Sequence, residues 1–213
     1  VAWRYVLLGG YLLVLAVNLP GHLSADSVIS LWEGRSGVRM VWGPPMYAAI
    51  LGFFDRLSPG AGLYVAASAL LLFVSWAALR TLRPRTTWSG PILLTGVLAL
   101  PGVLIYQGIV WKDVLFANLT VAAFVCLAYA ARGFASARRW TPLVGAVVLL
   151  AIGCLVRQNG AINVLFAGLV LAWAARRRGW RSSAAWGLAG VVAPLVLAAI
   201  LAPLTPVRPP PDA

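Results

Sequence analysis

Three arginine clusters, Arg80/Arg83/Arg85, Arg132/Arg138/Arg139 and Arg176/Arg177/Arg178/Arg181, divide this chain into long apolar runs. That alternation limits the fold more than any other feature. About 20 consecutive apolar residues, within a range of about 17–25, read as a membrane-spanning helix. Short basic loops between such runs mark the cytoplasmic side. Of the 213 residues 62% are hydrophobic and only 10% charged, and the mean hydropathy is +0.89. Soluble domains carry about 25% charged residues, so a water-soluble fold has too little polar surface to cover this chain. The fold class is all-α, a polytopic transmembrane helical bundle. A net charge of +12 would suggest nucleic acid in a soluble protein. Here the charge is a positive-inside signal, so membrane lipid is the expected partner and nucleic acid is not.

Charge parity predicts the topology. If all three clusters are cytoplasmic, an even number of crossings separates each from the next. Residues 88–131 then hold two spans with a break near Gln107 to Asp113, and residues 140–175 hold two short ones broken at Arg157-Gln158-Asn159-Gly160. Asn-Gly is a strong turn signal. With Arg4 cytoplasmic, residues 5–20 cross outward, 61–79 cross back, and 184–203 cross outward again. The expectation is a single transmembrane domain over 1–213 with about seven spans, N-terminus in and C-terminus out. Residues 21–60 form an external loop and 204–213 a proline-rich external tail. The apolar stretch 44–57 is too short to cross without breaking parity, so it reads as a re-entrant or interfacial helix, or an outer extension of the second span.

Several residues read as ordinary. Cys126 and Cys154 have neither metal-ligand spacing nor a disulfide framework and read as small buried hydrophobes. One histidine, His22, cannot build a metal site alone. Residues 1–20 lack a clean cleavage site and read as a retained first helix rather than a signal peptide. A start at Val1 and an end in Pro-Pro-Pro-Asp-Ala are those expected of a fragment of something longer.

The five acidic residues, Asp26, Glu33, Asp55, Asp113 and Asp212, all fall outside the basic loops. Charge is costly in a membrane, so what remains marks orientation or function. In the first external loop Ser24 is a plausible N-cap, which puts Asp26 in a first turn, where the helix dipole favours it. Ser24, Ser27, Ser30 and Glu33 recur every third residue, with Val28, Ile29, Leu31 and Trp32 on the apolar side. That pattern predicts a short amphipathic helix on the membrane surface, with Glu33 on its solvated face. Gly43-Pro44-Pro45 starts the next helix. Asp26 reads either as a helix-start residue or as a functional carboxylate. Arg35 and Arg39 read either as lipid head-group contacts or as ligands for a substrate.

The other external turns carry Trp111-Lys112-Asp113 and Arg157-Gln158-Asn159. Lys112, the only lysine, breaks the positive-inside pattern, Trp111 is an interface anchor, and Asp113 reads as an N-cap or as a site residue. Arg157 falls roughly 24 Å along its helix from the cytoplasmic end. An arginine near the outer edge of the hydrocarbon needs a pair or a polar cavity. Asn118 and Asn163 read as interhelical hydrogen-bond formers. Asp26, Lys112, Asp113 and Arg157 thus share one side of the membrane. Cations beside carboxylates at a lipid interface suit a phosphorylated lipid: the cations bind phosphate and a carboxylate accepts a proton from a hydroxyl nucleophile.

The motifs Ser24-Ala25-Asp26-Ser27, Trp42-Gly43-Pro44-Pro45-Met46-Tyr47, Ser58-Pro59-Gly60, Trp111-Lys112-Asp113 and Arg157-Gln158-Asn159-Gly160 occur in this order. Together they resemble the GT-C class of integral-membrane glycosyltransferases, particularly the family-39-like, polyprenyl-phosphate-sugar-dependent enzymes. The likeness covers roughly residues 1–175. It departs from the class at Ser27, where an acidic residue is common, and at Gly43, where a histidine is common. The class usually has more spans and often a soluble C-terminal domain. The resemblance implies an inverting transfer of sugar from a polyprenyl-phosphate donor to an acceptor hydroxyl at the extracytoplasmic face of the cell membrane. Asp26 would be the catalytic base, and Lys112, Asp113, Arg157, Arg35 and Arg39 the substrate-binding groups. No D-x-D pair is present, no cofactor is expected, and a divalent metal is not indicated. The alternatives are a transporter or translocator of a lipid-linked saccharide and a non-catalytic membrane scaffold. The first predicts charge at mid-membrane, which these spans lack. The second predicts no clustering of the outside charges.

Overall fold

The structure, a computed structural model, describes residues 2–40, 43–82 and 89–207. Trp42, Arg83, Arg85 and Asp212, with the tail from 208 onward, lie outside the described residues. Among the described residues the chain is helical and has no strand. The helices are α1 (Ala2–Asn18), α2 (Ala25–Ser36), α3 (Pro45–Leu57), α4 (Gly62–Thr81), α5 (Ser89–Leu98), α6 (Pro101–Tyr106), α7 (Lys112–Arg132), α8 (Trp140–Val156), α9 (Ala161–Ala175) and α10 (Trp180–Leu201). Short 3-10 turns flank α8, α9 and α10.

Five helical runs are long and apolar enough to cross a membrane: Gly62–Thr81, Lys112–Arg132, Ala137–Val156, Gln158–Arg178 and Trp180–Leu204. The chain is therefore a multi-pass helical membrane protein. The two further spans expected at 5–20 and 88–106 do not reach that length as single helices. The α1 helix has 17 residues. The 88–106 run is divided into α5 and α6 at Pro101, which has no N–H to donate back and holds Leu100 in extended backbone (ψ 122°). The 44–57 stretch forms the 13-residue α3 and starts with prolines in its first turn, as expected.

The backbone divides into two compact units, Val1–Asn118 with Pro206–Ala213, and Leu119–Thr205, and the division falls within α7. In the first unit Leu7 and Val14 of α1 pack with Ala69 and Phe73 of α4 and with Leu94 and Leu98 of α5. Three buried amides stiffen this core. Asn18 Nδ2 donates to the carbonyls of Val14 and Leu104 at 2.8 and 2.7 Å. Asn118 Nδ2 donates to the Ser68 carbonyl and to Gln107 Oε1, both at 3.0 Å, and Gln107 Nε2 donates back to Asn118 Oδ1 at 3.2 Å. The Asn18–Val14 bond lies within α1; the Asn118–Ser68 bond joins α7 to α4, as expected of Asn118.

In the second unit Ala123, Leu127 and Ala130 of α7 form a core with Leu143, Ala146 and Leu150 of α8 and Val164, Ala167 and Leu171 of α9. α9 and α10 approach at Gly168 and Gly187, where a Cβ on Gly168 would stand 2.8 Å from the Gly187 carbonyl oxygen. Small residues let helices meet this closely in a bilayer. Asn163 Nδ2 donates to Thr120 Oγ1 at 2.9 Å, a further interhelical bond. Leu165, Phe166, Leu188 and Ile200 face outward, as a lipid-immersed bundle requires.

Candidate functional site

The site is assembled from the turns before α2 and before α7. The His22 N–H donates to the Gly108 carbonyl at 2.8 Å, and the Val110 N–H donates to the His22 carbonyl at 3.0 Å. This makes a single parallel bridge between His22 and Ile109. Ser27 Oγ donates to the Val110 carbonyl, and Trp111 Nε1 donates to Ser24 Oγ at 3.0 Å. Two loops far apart in sequence are thus joined by backbone and side chain together. His22, the only histidine in the sequence, contributes its backbone to this bridge.

The α2 helix starts as its sequence predicts. Ser24 is the N-cap, its Oγ accepting the Ser27 N–H at 3.3 Å, and Asp26 lies in the first turn. Its amphipathicity, however, is mixed: Leu31 is buried as an apolar side predicts, but so are two polar residues. Ser27 and Glu33 are buried, Glu33 to 1% exposure, whereas Val28 at 52% and Trp32 at 46% face outward. The expectation of a solvated face for Glu33 is therefore wrong. Packing against α3 sets this direction: the Glu33 side faces inward and finds partners there. Glu33 Oε1 accepts the Met40 N–H at 2.7 Å.

α2 and α3 touch backbone to backbone at Gly34 and Gly52. A Cβ on Gly34 would stand 2.2 Å from the Ala48 carbonyl oxygen, and one on Gly52 2.3 Å from that of Gly34. Next to this crossing Arg35 grips Asp55: Nε donates to Oδ2 at 2.7 Å and Nη2 to Oδ1 at 2.6 Å. Asp55 Oδ1 also accepts the Gly60 N–H at 2.7 Å. The Arg35 hydrogen bonds come first in holding the Asp55 carboxyl down at about 2, with help from Gly60.

Between these elements lies a cavity of about 430 Å3. Asp26, Ser30 and Glu33 line it from α2, Pro44 and Tyr47 from the start of α3, and Lys112 and Asp113 from the first turn of α7. Asp26 and Asp113 sit at helix N-termini, where the dipole favours a carboxylate. Lys112 is the first residue of α7, where the dipole opposes a cation. Lys112 shares the cavity with the carboxylates of Asp26, Glu33 and Asp113. Burial holds the Tyr47 hydroxyl well above the usual phenol range, and the charge of Asp113 adds to it.

Of the residues expected at a site, Asp26, Lys112 and Asp113 line this one cavity. Arg35 is engaged by Asp55, a structural role its sequence position does not disclose. Arg39 Nη2 donates to the Gly43 carbonyl at 3.2 Å. Arg157 belongs to the second unit, where it is the C-cap of α8 in extended backbone and its N–H donates to the Gly153 carbonyl at 3.0 Å. Glu33, Ser30 and Tyr47 were not expected to line a site. The serine and glutamate at three-residue spacing were the available signal, and their inward direction became visible only with α3 in place. Among the described residues no group of three or more His, Cys, Asp or Glu could hold a metal ion. No protein-family model, curated protein or solved structure matches this chain.

Proposed function

We propose that the chain is an inverting glycosyltransferase that moves a sugar from a polyprenyl-phosphate donor to an acceptor hydroxyl. In this proposal it has seven spans with the N-terminus cytoplasmic, and the cavity opens on the extracytoplasmic face. The observation that carries the reading is that Asp26, Asp113 and Lys112, from distant segments, line one cavity in a chain of apolar helices. Asp26 is exposed within it and accepts the acceptor's hydroxyl proton as the oxygen attacks the anomeric carbon. Lys112 stabilises the departing phosphate, and its position at the positive end of α7 adds the helix dipole to that attraction. Asp113 orients Lys112 or the acceptor. Tyr47, buried at the start of α3, lines the same cavity and shapes its wall. Arg39, in the same unit as the cavity, is offered as a further ligand for the donor phosphate.

The test is transfer by the purified protein in liposomes supplied with a set of radiolabelled polyprenyl-phosphate sugars. Asp26→Asn is expected to lower turnover by about 10²–10⁴-fold, the contribution of a general base, with the folded protein still recovered from the membrane. Undiminished turnover in that variant removes Asp26 from the mechanism.

A further inference from the structure

The second unit is entirely basic. Residues 119–205 contain eight arginines and not one Asp or Glu. Seven of the eight, all but Arg157, lie where α7 ends, α8 begins, α9 ends and α10 begins. Their side chains are organised rather than splayed. The Arg139 guanidinium lies 4.9 Å from the Trp140 ring centre and 5.7 Å from that of Trp186, and Arg178 lies 4.9 Å from that of Phe134. Arg139 and Arg178 both donate to the Phe134 carbonyl, at 2.8 and 3.0 Å. Arg176 stacks 3.9 Å from the Trp173 ring centre and donates to the Trp173 carbonyl at 2.7 Å. Rings and carbonyls order these cations but supply no full negative charge, and the unit has no carboxylate to supply one.

Beside this cluster an open groove of about 840 Å3 runs between α7 and α9. Ala128 and Ala131 form its floor, Leu169 and Val170 its apolar wall, and Arg132 and Trp173 its basic end. Leu169 and Trp173 are exposed. The groove is therefore apolar along its length and cationic at one end, where Arg132 lines it with Trp173 and Arg176 stacks on the Trp173 ring. We infer that this groove is a binding site for an anionic phospholipid. One acyl chain lies against Ala128, Ala131 and Leu169, and the head-group phosphate meets Arg132 and Arg176. Charge complementarity selects this occupant, because the groove joins an apolar lining to Arg132 at one end, which matches an acyl chain joined to an anionic head group. A zwitterionic lipid brings a cation along with its phosphate, and inorganic phosphate leaves the groove empty.

The test uses the full chain purified in a non-ionic detergent and titrated with phosphatidylglycerol carrying brominated acyl chains. Bromine quenches tryptophan on contact, so the Trp173 signal is read as the difference between wild type and Trp173→Phe. Quenching of Trp173 is expected at a lower concentration of phosphatidylglycerol than of brominated phosphatidylcholine. Arg132→Gln and Arg176→Gln should each raise the half-quenching concentration by about fivefold, the effect of one basic charge near an anionic head group. Equal quenching by the two lipids overturns the proposal, and that comparison needs no variant. So does a double variant that binds phosphatidylglycerol as well as wild type does. If inorganic phosphate protects the protein thermally as fully as phosphatidylglycerol does, the site holds only an anion and the lipid assignment fails.

Discussion

Asp55 shows how much a single contact can settle here. Read from sequence it was one of five external acids; folded, it is the acceptor of a two-pronged bond from Arg35 and of the Gly60 N–H. Its carboxyl is held down from an ordinary 3.8 to about 2, chiefly by the Arg35 hydrogen bonds. A carboxylate whose folded pKa is depressed stabilises the fold above its unfolded pKa and loses that contribution as pH falls through the folded value. The thermal midpoint in detergent should therefore fall as pH drops from about 4 to about 2, and Asp55→Asn should flatten that step. An unchanged acid profile in the variant would assign the step to another group. Glu33 carries the same lesson in geometry. Its place on a three-residue stripe was plain, but the direction of the stripe depended on where α3 packs.

At the scale of the element, the crossing of α2 and α3 decides whether the cavity exists. Gly34 and Gly52 allow the two backbones to meet, which brings Tyr47 and Pro44 opposite Asp26 and Glu33. Two effects oppose each other in Gly34→Ala. Alanine favours the helix by about 1 kcal/mol, while forcing a Cβ into a backbone contact costs about 1–3 kcal/mol. A site 2.2 Å from a carbonyl oxygen cannot relax by rotamer change, so the contact should win. The thermal midpoint in detergent is expected to fall for Gly34→Ala and for Gly52→Ala, and transfer activity with it. A rise in midpoint would mean that the helices do not touch at these residues. Both glycines were visible in the sequence, but neither is in a motif or a turn, and the pairing of 34 with 52 has no local signal.

For the whole molecule, charge segregation is the organising fact. Arginines gather where α7 ends, α8 begins, α9 ends and α10 begins, while the described acids all belong to the first unit. The helices predicted at 61–79, 140–156 and 184–203 are present, and so is the break before α7. The extra break at Pro101 was legible in principle, since proline cannot donate the backbone bond a continuous helix needs there. The proposed orientation is tested by cysteine labelling. In a background with Cys126 and Cys154 replaced by alanine, Ser136→Cys should react with an impermeant reagent from the cytoplasmic side. Reaction only from outside would refute the seven-span arrangement.

Taken alone, the sequence determined the medium and the local elements: apolar runs of spanning length, the Ser24 cap and Asp26 in the turn that follows it. These follow from composition, periodicity and short-range backbone chemistry, all of which act over a few neighbouring residues. Only the tertiary structure decided which polar groups meet. The bridge from His22 to Ile109, the grip of Arg35 on Asp55 and the inward turn of Glu33 join segments far apart along the chain. The physical reason is the same each time. Once folding removes a polar group from water it takes whatever partner the packing brings within reach, and packing is a property of whole helices, not of the residues beside it.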